Sequence, residues 1–129
     1  MQKRDLNDSK YVCFYNLTRQ SSVAARARVA DGYFSRLVGL LGTSRSWPRP
    51  GNGLWIVPSR GVHTLGMLYA LDLIFLDRAR VVVEVQEDIR PFRISKVTLK
   101  AYSVLELPGG TLARSHTRVG DQMEVTPAT

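Results

Sequence analysis

Asp72 stands in the run Leu71-Asp72-Leu73-Ile74-Phe75-Leu76, a carboxylate inside an otherwise apolar stretch. Read as a strand, the run places Leu71, Leu73 and Phe75 on one face and Ile74 and Leu76 with Asp72 on the other. Both faces are apolar, so the sequence puts this carboxylate in or beside a core. An unpaired carboxylate there costs several kcal/mol, so hydrogen-bond donors or a cation must meet it. Nearby donors upstream are His63, Thr64 and the backbone amides around Gly66. A His–Asp couple of this kind suits general acid–base chemistry. The competing reading is an Asp at a strand start whose side chain satisfies its own preceding turn.

Glu106 is a second acidic residue in an apolar run, Val104-Leu105-Glu106-Leu107-Pro108. Period-two alternation turns Glu106 to solvent while Leu105 and Leu107 point inward. Were Asp72 and Glu106 to converge on one pocket, the pair would be the place to seek shifted pKa values. Trp55 and Met67 could line a ligand pocket, although such residues near strands are commonly core. Cys13, between Val12 and Phe14, reads as a small buried hydrophobe, and His116, between Ser115 and Thr117, as an exposed loop residue. A single cysteine excludes an internal disulfide framework and any multi-cysteine metal site. No phosphate-cradling glycine loop, Gly-x-Ser-x-Gly elbow or His-Glu-x-x-His pair occurs, so neither a metal nor a cofactor is expected.

These residues must be positioned by short strands. Tyr11–Leu17 is rich in aromatic and β-favouring residues, and Val23–Val29 alternates small or apolar residues with arginine. Asp31 offers a helix N-cap, and Phe34, Leu37, Val38 and Leu41 recur at helical spacing, so a short amphipathic helix is expected over about 31–41. Residues 43–53 read as loop, Leu54–Val57 as a strand closed by Pro58, and Leu71–Leu76 with Val81–Val85 as a hairpin about the turn 77–80. Residues 89–100 read as an irregular crossing, Ser103–Leu107 as a strand, Thr111–His116 as a helical turn and Gln122–Val125 as the last strand. The pattern predicts a mainly β fold, a single small β-barrel or β-sandwich domain over 11–125, between a flexible tail at 1–10 and another at 126–129.

The chain has 129 residues, 44% of them apolar and 22% charged, which suits one globular domain and argues against disorder. Eighteen basic residues against eleven acidic give a net charge of +7. The excess is concentrated in residues 19–60, with seven arginines and one aspartate, whereas 61–89 is net acidic. Such a surface could attract an acidic protein or nucleic acid. No basic run occurs and no aromatics interleave with the arginines, so nucleic acid is the less expected partner. The polar N-terminus lacks an apolar signal core, and the longest apolar stretch is too short and too polar to span a bilayer. A cytoplasmic protein with no membrane partner is the resulting expectation.

Several motifs in order carry a family resemblance: Arg36-Leu-Val-Gly39-Leu-Leu-Gly42, Gly53-Leu-Trp55-Ile-Val-Pro58, Val62-His63-Thr64-Leu-Gly66-Met67, Leu71-Asp72-Leu-Ile-Phe75-Leu-Asp77, Val104-Leu105-Glu106-Leu107-Pro108-Gly109-Gly110 and Val119-Gly120-Asp121. From about Leu17 to Val125 the chain resembles the bacterial and archaeal family called domain of unknown function 192. The resemblance implies a compact, mainly β single domain. It supplies no activity, substrate or cofactor. Carried over by position, it highlights His63, Thr64, Met67, Asp72, Glu106 and Gly110 as candidate ligand-binding residues. Many members have a basic residue after the methionine and a proline before the Asp-containing pair. Here Leu68 and Ala70 stand instead, removing one cationic partner for Asp72. Many relatives also carry a signal or lipid-anchor segment, which this sequence does not show.

Three functions follow in order of preference. The first is a binding domain for a small molecule or peptide, with its site built from residues 61–72 and 103–110. The second is an enzyme using Asp72 or Glu106 as base with His63 as proton partner, and the third is a basic-surface module for an acidic protein or nucleic acid.

Overall fold

A computed structural model describes residues 11–30, 50–61, 70–90 and 95–128. The expected helix over 31–41 and residues His63, Thr64 and Met67 lie outside the described residues. The strands are β1 (Tyr11–Asn16), β2 (Ser21–Ala30), β3 (Asn52–Ile56), β4 (Leu71–Leu76), β5 (Val82–Ile89), β6 (Ser103–Pro108) and β7 (Met123–Pro127). A short helix, α1 (Thr111–Ser115), occupies the expected helical turn. The strands form one sheet in the order β5-β4-β6-β3-β2-β1-β7, with only the β2–β3 pair parallel.

The sheet curls into a half-barrel, and side-chain alternation explains why. Val29, Trp55, Leu105, Ile74 and Val85 sit side by side across five strands and therefore share one face. That face joins Val12, Phe14, Val23, Ala27, Leu112, Met123 and Val125 in one apolar cluster. A cluster drawing on both edge strands, β5 and β7, lies within the curl. At one corner the two edges meet. Val81 bridges Gln122, Val82 N–H donates to Asp121 O at 2.9 Å, Gly120 N–H to Val82 O at 2.8 Å and Met123 N–H to Arg80 O at 2.9 Å.

A second cluster covers the outer face of the middle strands, with Leu54, Ile56, Leu71, Leu73, Phe75, Ile89 and Val104. Every residue of β4 and β6 is buried as a result. Strand bounds shift from the sequence reading, as β5 and β7 show. β5 runs on through polar Gln86-Glu87-Asp88 to Ile89, because an edge strand needs only one apolar face. β7 continues through Thr126 and Pro127, which the sequence assigns to a tail. Backbone pairing with Cys13 and Val12 holds them, independently of side-chain pattern. Among the described residues no helix is long and apolar enough to cross a membrane.

Candidate functional site

Asp72 is fully buried on the inner face, opposite Leu107 of β6. Among the described residues its donors come from the far end of β5 and from α1. Oδ1 accepts from Asp88 N–H at 2.9 Å, and Oδ2 accepts from Leu112 N–H at 2.9 Å. Each bond meets a local need. Leu71 pairs with Ile89 and Leu73 with Gln86, so Glu87 and Asp88 together oppose Asp72 in a β-bulge. A bulge leaves an amide outside the ladder, and Asp72 takes it. The second amide belongs to the second residue of α1, one of the helix-start donors with no partner inside the helix. The N-cap of α1 is Gly110, at φ 92°, which has no side chain to cap with. A carboxylate 40 residues upstream therefore acts as the helix cap. Gly110 earns its place through that left-handed backbone, which turns the chain from β6 so that the first turn of α1 meets Asp72.

Glu106 is also buried, not solvent-facing as alternation suggests. It lies between Leu54 of β3 and Leu73 of β4, on the outer face. The alternation reading fails because β6 is a central strand whose second face is covered by its own apolar cluster. Directly paired residues share a face and consecutive residues do not, so Asp72 and Glu106 project from opposite sides of the sheet. The two carboxylates do not meet in one pocket. Trp55 is core, 2% exposed, with its ring edge-on to Phe14 at 5.2 Å. Cys13 is half-buried and His116 exposed. Among the described residues no group of three or more His, Cys, Asp and Glu could hold a metal ion.

A third buried acid, Asp121, closes the corner where the sheet edges meet. Its Oδ2 accepts from Asn16 Nδ2 at 2.9 Å, Arg19 Nε at 3.0 Å and Arg118 N–H at 2.9 Å. Asn16 Nδ2 also donates to Thr117 Oγ1, and Asn16 Oδ1 accepts from Arg19 N–H. Burial alone raises the Asp121 pKa, but the hydrogen bonds from Arg19, Asn16 and the Arg118 amide, with the Arg19 charge, hold it below the ordinary carboxylate value. The network joins the β1–β2 turn to the start of β7.

An opening lies at the other end of β4. It is an open cleft of about 870 Å3 lined by Pro58, Ser59, Arg60, Asp77–Ala79 and Leu99–Tyr102. Its three loops are tied together by backbone bonds: Ser59 N–H to Tyr102 O at 2.8 Å, Thr98 N–H to Arg60 O at 3.1 Å and Tyr102 N–H to Leu76 O at 2.7 Å. The Arg78 guanidinium lies over the Tyr102 ring, 4.2 Å from its centroid. Among the described residues Arg60, Arg78 and Lys100 form no ion pair with a carboxylate. The one carboxylate in the lining, Asp77, already accepts from Val81 N–H through Oδ1 at 2.9 Å. Sequence reasoning passed over these residues. They come from three distant segments, each with one basic residue, and Arg78 sits inside the stretch whose net charge is acidic.

The family model of DUF192, an uncharacterized ACR family, matches residues 15–125. The chain belongs to the DUF192 family. It is 30% identical over 115 residues to a UPF0127 protein of Thermococcus sibiricus, covering 84% of this chain and 71% of that protein. A Pyrococcus furiosus UPF0127 protein is 28% identical over 115 residues, covering 84% and 94%. Two crystal structures share the fold at 20% identity. One is a protein of unknown function from Novosphingobium aromaticivorans, with TM-score 0.69 over 88% of this chain and 83% of that one. The other is a putative transcription regulator from Sinorhizobium meliloti, with TM-score 0.73 over 95% and 98%. DUF192 membership settles the family and the half-barrel fold and names no reaction.

Proposed function

We propose that this DUF192 protein is a small binding domain and that its ligand is anionic, seated in the cleft formed by residues 58–60, 77–79 and 99–102. The observation that carries this reading is the convergence of Arg60, Arg78 and Lys100, none of them ion-paired among the described residues, on one opening whose one carboxylate among those residues is partly engaged by its own turn. Cations gathered in a concave, partly desolvated surface raise the local concentration of an anion and hold it more strongly than scattered surface charges do. Of the site expected at 61–72 and 103–110, residues 62–69 lie outside the described residues. Within it, Asp72 and Gly110 serve to start α1 and to close the β5 bulge. An acid–base role for Asp72 is disfavoured by geometry, since each oxygen is committed to a backbone amide in a site with no solvent access.

Titration with inorganic tripolyphosphate, followed through backbone amide NMR shifts, tests the proposal. Shifts are expected at residues 58–60, 77–79 and 99–102, to be lost in an Arg60→Glu/Lys100→Glu variant and kept in Arg114→Glu, which alters an exposed arginine on α1. Shifts spread evenly over the exposed arginines, unaffected by the double substitution, would overturn it.

A further inference from the structure

Resting on the anionic-cleft reading, we infer that the occupant of this cleft is an acidic polypeptide segment carrying aliphatic side chains. Two features of the cleft's rim carry the step from anion to peptide. The first is apolar. Val97 and Leu99 are 68% and 82% exposed, more than the other exposed large hydrophobic residues among those described, Leu17 at 45% and Val119 at 58%. Leu99 lines the cleft beside Lys100, and Val97 stands two positions before it on the same segment, next to Lys96, whose Nζ lies 3.8 Å from Glu84 Oε1. That segment is pinned. A Cβ at Gly61 would come within 2.9 Å of both Lys96 O and Val97 Cγ2, so only glycine lets the two chains approach so closely. The Thr98–Arg60 and Ser59–Tyr102 backbone bonds hold the same contact on the cleft side. A preorganised aliphatic pair presents apolar area to a partner with little ordering cost on binding.

The second feature is Asp77. A phosphate chain gains nothing from a carboxylate among its cations, and is repelled by it. A peptide carries N–H donors as well as side-chain carboxylates, and the second oxygen of Asp77 can accept from such a donor. Nucleic acid would also look for an aromatic face on which to stack bases. One face of Tyr102 already carries the Arg78 guanidinium. Three cations, one acceptor and two aliphatic side chains match an acidic, aliphatic-bearing peptide better than a sugar-phosphate backbone.

The test compares three probes against the full chain by fluorescence anisotropy at low salt: a short labelled peptide alternating Glu and Leu, the same peptide with Ser for Leu, and a single-stranded oligo-dT. The Glu/Leu peptide is expected to bind about tenfold more tightly than the Glu/Ser peptide, the worth of roughly one buried aliphatic contact. Val97→Ser/Leu99→Ser should erase that advantage and leave Glu/Ser affinity unchanged. These side chains are exposed, so the variant keeps its fold. Equal binding of the two peptides overturns the peptide inference while leaving the anionic cleft intact, as does oligo-dT binding more tightly than either. If Arg60→Glu/Lys100→Glu leaves all three affinities unchanged, the cleft itself is not the site, and both readings fall.

Discussion

The two ends of β4 hold opposite arrangements of charge. At one end Asp72 is buried with each oxygen accepting from a backbone amide. About five residues along, roughly 17 Å at strand rise, Arg60, Arg78 and Lys100 line an open cleft, without ion partners among the described residues. A buried charge fully met by its own protein is a structural element, because any ligand must break those bonds to use it. Cations collected in a concave surface and met by no carboxylate among the described residues are what a ligand can use. The residue that looks most anomalous in the sequence is therefore the anchor, and the residues that look ordinary line the opening.

The sharpest way to break this contrast is to damage the anchor. Asp72→Ala leaves two buried amides without acceptors and should destabilise the fold by about 3–5 kcal/mol. Asp72→Asn should cost about 2–4 kcal/mol, because its NH2 points a donor at a donor. Urea unfolding measures both. A stable Asp72→Asn protein would return Asp72 to the list of candidate functional groups.

Asp121 gives the next effect and a pH signature. Because its folded pKa is depressed, its contribution is fully present above the ordinary carboxylate range and is lost as pH falls through the lowered folded value. Asp121→Ala should cost about 2–3 kcal/mol near neutral pH. The gap between wild type and variant should close as the pH is lowered, read from unfolding midpoints. A gap independent of pH would contradict the charge-assisted network.

Gly110→Ala is expected to cost about 1–2 kcal/mol, since a Cβ meets no neighbour there and only the left-handed backbone at φ 92° is penalised. A larger loss in thermal unfolding would mean that space as well as backbone matters at that turn. The smallest stability effect belongs to the cleft. Arg60→Glu/Lys100→Glu should change unfolding by no more than about 0.5 kcal/mol, as expected of surface charges without partners, while abolishing anion binding.

Local pattern made much of the fold legible. Aromatic and β-favouring residues marked β1, alternation marked β2, the apolar runs about the turn 77–80 marked the β4–β5 hairpin, and Pro108-Gly109-Gly110 marked the end of β6. The burial of Asp72 was legible too, because both strand faces around it are apolar. Its partners were not. The Asp88 and Leu112 amides lie 16 and 40 residues away, and a backbone donor leaves no trace in residue types. Glu106 misled because alternation assumes one wet face, whereas β6 is central and covered on both. The Thr126–Pro127 extension of β7 rests on main-chain pairing that side-chain polarity conceals. Arg60, Arg78 and Lys100 share a cleft only through the sheet order, which places three distant loops together.

The most direct measurement is the shift in urea unfolding midpoint on adding tripolyphosphate, since a ligand bound only by the folded state raises stability. The account predicts a raised midpoint in the wild type and in Arg114→Glu, and none in Arg60→Glu/Lys100→Glu. An undiminished rise in the double variant would contradict it.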